Sequence, residues 1–187
     1  MTNSDIHTDD TSTLPLAPGR WTLDTAHTTV GFTIRHLGVS KVRGVFHDVT
    51  AEVVVGPTPG ESTIGVRVGL ASIDTGIVER DTHLRASDML DVENRRQMDF
   101  RSTDIRGAGD RWTLDGELTI GDVTRPLSLD VEFGGLGTFP LDGSVHAGFT
   151  ATGEIRRKDF GLGFGLPPGV LGDVVRIEID LELIAPE

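Results

Sequence analysis

Strict alternation of apolar and polar side chains constrains this chain more than any other feature. Between 175 and 183 the odd positions are Val175, Ile177, Ile179, Leu181 and Leu183, and the even ones are Arg176, Glu178, Asp180 and Glu182. Successive side chains of a strand point to opposite faces, so this segment predicts a strand with one dry and one wet side. The same period runs through Val30, Phe32, Ile34 and His36, through Val49, Ala51, Val53 and Val55, and through Ile64, Val66, Val68 and Leu70, and more weakly around Met98 and Phe100. Trp112, Leu114, Leu118 and Ile120 form a fifth set, which the turn pair Gly121-Asp122 joins to a sixth of Leu127, Leu129, Val131 and Phe133. Val145, Ala147, Phe149, Ala151 and Ile155 give the seventh, before the last strand at 175–183. Pro126 stands near the start of the sixth strand, where a missing N–H is tolerated.

Short connections and one polar face per strand indicate antiparallel pairing, and closing the sheet removes its exposed edges. The expected fold is all-β: an eight-stranded antiparallel, lipocalin-like barrel with a short helical insertion between strands three and four. Gly44 is expected to mark a kink, since the apolar parity changes near it from even to odd positions. Within 76–96, Ser87 or Asp88 is positioned to cap a helix running through Met89 and Leu90. Residues 156–172, rich in Gly and Pro, read as a lid or mouth. Residues 1–19 carry little to bury and read as a disordered tail, leaving 20–187 as one domain.

Twenty-nine acidic against 17 basic residues give a net charge of −12, which opposes nucleic-acid backbones and anionic membrane surfaces. No run approaches the ~20 apolar residues of a membrane span, so stable insertion is not expected. The polar start of the chain lacks the pattern of a secretory signal, so the expected location is the cytoplasm. Without cysteine there is neither a disulfide nor a thiolate site. Nearly all cations are Arg, whose planar fork suits phosphate or carboxylate.

Inward positions rich in Val, Ala and Gly, with only 8 Phe and 2 Trp in the chain, favour a hollow lumen over a filled one. Arg80 and Asp81 read either as a buried ion pair holding a loop or as a clasp for an anionic head group, and Asp81 with His83 could also ligate a metal. Arg156, Arg157, Lys158 and the pair Arg95-Arg96 place positive charge at the rim. Asp24 and His27 form a possible dyad, more commonly a turn hydrogen bond, and no nucleophile elbow, zincin helix or phosphate loop is present. The rival class is a metal-assisted or hydrolytic enzyme using Asp81, His83 and either His27 or His146.

In chain order, Trp21-Thr22-Leu23-Asp24 with His27, Val42-Arg43-Gly44-Val45-Phe46, Ser72-Ile73-Asp74-Thr75, Arg80-Asp81-Thr82-His83-Leu84, Gly116-Glu117-Leu118-Thr119-Ile120, Val123-Thr124-Arg125-Pro126 and Arg157-Lys158-Asp159-Phe160-Gly161 resemble the YceI-like family of polyisoprenoid-binding, lipocalin-like proteins. The resemblance implies a barrel whose lumen holds an isoprenoid or other lipid for storage or transport, with no catalysis, no cofactor and a possible homodimer. Carried over by position, it implies a ligand site of Phe32, Ile34, Phe46, Met89, Leu90, Phe149 and Phe160, with Arg80, Asp81, His83, Arg157 and Asp159 as its polar part. The chain departs from the family pattern at Arg96-Gln97, where an aromatic-Pro pair is usual.

Overall fold

The computed structural model describes residues 13–187. Its strands are β1 (Gly19–Leu23), β2 (Thr29–His36), β3 (Ser40–Phe46), β4 (Val49–Val55), β5 (Thr63–Gly69), β6 (Ile73–Asp74), β7 (Gln97–Ala108), β8 (Arg111–Ile120), β9 (Val123–Thr138), β10 (Val145–Arg156) and β11 (Leu171–Ile184). Helix α1 (Val78–Arg85) lies between β6 and β7. Every pairing is antiparallel, and the eleven strands form eight staves. β1 and β2 follow one another along the same edge of β11, with Leu23 opposite Leu183 and Thr29 opposite Asp180. β4 and β3 pair with them in turn, and β5 and β6 pair with β4 and β3. From β7 to β11 each strand pairs with the next, so contact of β1 and β2 with β11 closes the barrel.

This up-and-down order puts the 37–39 hairpin, α1 with its flanking turns, the 121–122 turn and the 156–172 loop at one end, here the upper one. The 109–110 and 139–144 turns and residues 13–18 lie at the lower end. Gly121 adopts φ 63° between the paired Ile120 and Val123, giving the expected tight hairpin. Pro126 faces a partner strand on β8 only, because the β10 ladder on its other side begins at Asp130.

The structure corrects the kink expected at Gly44, which sits inside β3 opposite Phe32. A Cβ there would lie 2.5 Å from Phe32 Cζ, so glycine lets that ring cross the strand and meet Phe46, 5.7 Å away between centroids. The parity changes instead at His47 and Asp48, whose N–H groups both donate to Ser72 Oγ, at 3.1 and 2.9 Å. A similar break at Asp24–Thr28 separates β1 from β2: Asp24 N–H donates to the Glu182 carbonyl, and Glu182 N–H to Thr28 Oγ1.

The helix is also displaced from its expected place. It ends at Arg85, and Ser87–Leu90 form turns beyond it. No side chain caps its start; the turn before it is fixed instead by the Asp81 carboxylate, which accepts the Thr75 N–H and hydroxyl, and Gly76 turns the chain at φ 78°. Arg85 then donates to the carbonyls of Ala71 and Ile73, tying the helix to β6. Met89 and Leu90 are still buried, from a turn rather than a helix. Of the expected tail, residues 1–12 lie outside the described residues. In the remainder Leu14 and Leu16 pack beside Trp21, and Trp21 Nε1–H donates to the Ala17 carbonyl, so the packed chain begins before residue 19.

Candidate functional site

Two apolar chambers lie one above the other inside the barrel. The upper one has about 180 Å³ and is lined by Phe32, Ile34, Phe46, Val68, Leu90, Met98, Leu118, Leu127, Ile155, Arg157, Leu162, Phe164 and their neighbours. The lower one has about 150 Å³ and is lined by Val53, Ile64, Trp112, Val131, Phe149, Ala151, Leu181, Leu183 and others, with Leu14, Pro15 and Leu16 from the segment before β1. Val30, Val66, Phe100, Leu129 and Ile179 line both. These five come from five strands and form a waist where the chambers meet.

Among the described residues Arg157 is the only charged side chain lining either chamber, and it is 4 % exposed. It lies in the short turn after β10, and the 161–172 loop folds back around it. Its Nε donates to the Gly172 carbonyl at 2.8 Å, Nη1 to Leu162 at 2.6 Å and Gly163 at 3.0 Å, and Nη2 to Leu171 at 3.3 Å. The guanidinium also lies over the Phe164 ring, 5.3 Å from its centroid. Four of the five N–H bonds of an arginine are thus used on neutral carbonyls. Among the described residues no carboxylate pairs with it, so a buried positive charge faces an apolar cavity without a counter-charge.

Of the residues expected to form a site, Phe32, Ile34, Phe46, Leu90 and Arg157 meet at the upper chamber and Phe149 lines the lower one. Met89 and Phe160 are buried in the packing around the upper end without lining a chamber. Asp159 lies in the turn with Arg157 but does not line the cavity. Arg80, Asp81 and His83 stand on α1, outside both linings. Arg80 and Asp81 do not pair with each other. Both converge on Thr75, Arg80 through Nε to Thr75 Oγ1 at 2.6 Å and Nη2 to its carbonyl at 2.9 Å, so they secure the helix entrance. His83 instead meets Asp88 at 3.2 Å, separately from Asp81, and the two assemble no common ligand set. The waist and the loop residues Leu162 and Phe164 were missed, although each waist residue except Phe100 lies on an inward stripe of strong alternation.

A cluster of titratable groups lies on the barrel's outer wall, at the break between β1 and β2. Asp24 Oδ2 accepts from His27 Nδ1 at 2.8 Å, and His146 Nδ1 meets Glu182 Oε1 at 2.6 Å. The hydrogen bond to Asp24, helped by the charges of Asp24 and Glu182, raises the pKa of His27, and the same bond holds Asp24 below the usual carboxylate range against the effect of burial. Because the His27 value is raised, its contribution is complete below the ordinary histidine value and fades as pH rises through the raised one; the Asp24 contribution is complete above the ordinary carboxylate value and fades as pH falls through the lowered one. Asp24→Asn should therefore shift the His27 titration midpoint down toward the ordinary histidine range. Ring NMR signals followed against pH report this directly, and an unmoved midpoint would contradict the coupling.

A closed antiparallel barrel with an apolar interior and a loop folded over one end defines a lipocalin-like barrel. A sequence profile of the YceI-like domain matches residues 21–183, and the chain belongs to that family. Protein YceI of Escherichia coli O157:H7 is 36% identical over 143 residues, 76% of this chain and 74% of that protein. The crystal structure of the Campylobacter jejuni YCEI protein superposes with a TM-score of 0.72 at 33% identity, covering 89% of this chain and 98% of that one. A polyisoprenoid binding domain from Saccharophagus degradans, implicated in plant cell wall breakdown, shares the fold with a TM-score of 0.64 at 15% identity, over 91% of this chain and 100% of that one.

Proposed function

We propose that the protein binds one elongated apolar molecule, an isoprenoid, isoprenoid quinone or other long-chain lipid, and stores or carries it without chemical change. The observation that supports this is the pair of apolar chambers in series, meeting at Val30, Val66, Phe100, Leu129 and Ile179. A core cavity of roughly 150 Å³ admits benzene, so either chamber alone suits a single ring. Two in line suit something long and thin. Phe100 carries the largest side chain at the waist, and a chain occupying both chambers displaces its ring.

Burial drives such binding, at about 0.8 kcal/mol for each CH₂ group removed from water. Direction comes from Arg157, whose uncompensated charge attracts an anionic or strongly accepting head to the upper chamber. The polyisoprenoid-binding description of the Saccharophagus degradans domain agrees with this reading.

Mass spectrometry of an organic extract of the purified protein tests it, together with uptake of a fluorescent long-chain fatty acid by the extracted protein. A long-chain lipid in the extract, or saturable uptake at one molecule per barrel, is the expected result. An empty extract combined with no uptake by correctly folded protein overturns the proposal.

A further inference from the structure

The hairpin joining β2 to β3 combines features that neither the barrel nor its lumen requires. At its tip Leu37 is 55 % exposed and Val39 84 % exposed. Leu37 also sits at φ 52°, in the left-handed region that a side-chain-bearing residue such as leucine adopts at a cost and that asparagine or glycine adopts readily. Just below the tip, Arg35 and Lys41 stand directly opposite each other across the two strands, and Arg43 follows two residues on, on the same face. Like charges in that position repel, and none of the three makes an ion pair among the described residues. The whole stretch between Asp24 and Asp48 has no acidic residue, in a chain with 29 of them.

We propose that this hairpin docks the protein on an anionic bilayer surface: Leu37 and Val39 enter the interfacial layer while Arg35, Lys41 and Arg43 engage lipid phosphates. Charge complementarity selects this occupant. Exposed apolar side chains flanked by unpaired cations match a surface whose outer layer is negative and whose interior is apolar, the layering of an anionic bilayer. The net charge of −12 does not prevent it. Screening limits each charge to a range of about 8 Å at physiological ionic strength, so the local cluster governs the contact.

Docking here is peripheral, and no described helix is long and apolar enough to cross a membrane. The hairpin stands at the upper end of the barrel, and Leu37 N–H donates to the Val170 carbonyl of the loop that covers the upper chamber. Contact with lipid is therefore made beside the segment that encloses Arg157.

Flotation with vesicles of equimolar phosphatidylcholine and phosphatidylglycerol, compared with phosphatidylcholine alone, tests the proposal. The protein should float with the anionic vesicles and detach as salt is raised. Leu37→Asn with Val39→Ser should weaken binding at least about 10-fold. Since asparagine suits the left-handed turn, that variant should fold as well as the parent. The triple change Arg35→Gln, Lys41→Gln and Arg43→Gln should weaken it about 100-fold, each cation near the surface being worth about 5-fold. Flotation of both variants equal to the parent, or none by the parent, overturns the proposal. So does a dimer in sedimentation velocity that Leu37→Asn dissociates without affecting flotation, because the tip would then belong to a second copy. The readout is vesicle binding, so a failure leaves the lumen reading untouched.

Discussion

Arg157→Met should destabilise the barrel by about 3–4 kcal/mol, because it strands carbonyls that the guanidinium now satisfies in a buried site and removes the cation over Phe164. For a chain of this size that is a fall in melting temperature of roughly 10 °C. Arg157→Lys should recover only part of the loss. An ammonium has three donors on one nitrogen, and the carbonyls of Leu162, Gly163, Leu171 and Gly172 surround a planar fork. Urea unfolding of the parent and both variants measures the effect. A loss under about 1 kcal/mol for Arg157→Met would mean that the 161–172 loop closes without the guanidinium. The Arg157→Met barrel, where folded, should also lose preference for acidic over neutral long-chain ligands.

The second large effect is expected at Ala151, which lines the lower chamber and stands between Val131 of β9 and the waist residue Ile179 of β11. In Ala151→Trp the indole takes space in a chamber of only about 150 Å³. An elongated ligand then keeps the upper chamber and loses the lower one. With about 0.8 kcal/mol for each CH₂ displaced, four excluded methylenes correspond to a loss of more than about 100-fold in affinity. Thr150→Trp is the matching control, since Thr150 is the exposed neighbour on the same strand. Titration of lipid-free protein with a fluorescent long-chain fatty acid separates the two. Equal affinity in Ala151→Trp and the parent, with native circular dichroism, would place the ligand outside the lumen.

Both results depend on contacts that no segment of the chain makes alone. The Arg157 cage needs the 161–172 loop to return over residue 157, whereas Arg156, Arg157 and Lys158 read by themselves are only a run of charge at a rim. Asp81 shows the converse. Its neighbours allow either a structural ion pair with Arg80 or a ligand clasp; the carboxylate does hold a loop, but through Thr75, six residues away, before a helix that starts earlier than the sequence suggests. Met89 and Leu90 drew that helix toward them because apolar residues behind a capping serine look helical; turns bury them equally well. Residues 13–18 and the kink depart from the sequence reading for related reasons. Leu14 and Leu16 gain their burial only from the closed lower end, and the glycine at 44 answers to a ring on the neighbouring strand rather than to a bend.

Local alternation was sufficient for the all-β antiparallel class and for the longer segment of each stave, because a strand's two faces are written in consecutive residues. But β1, β3 and β6, which complete three staves beside β2, β4 and β5, carry too short or too broken a pattern to be read. The sharp turn at Gly121-Asp122 and the tolerated Pro126 were equally legible, each being a property of one or two backbone units. Closure decided the rest. Only when β1 and β2 meet β11 do Val30, Val66, Phe100, Leu129 and Ile179, drawn from five strands, come together as a waist and divide one lumen into two chambers. Alternation records which way each side chain points, whereas the space left between those side chains depends on all the staves at once.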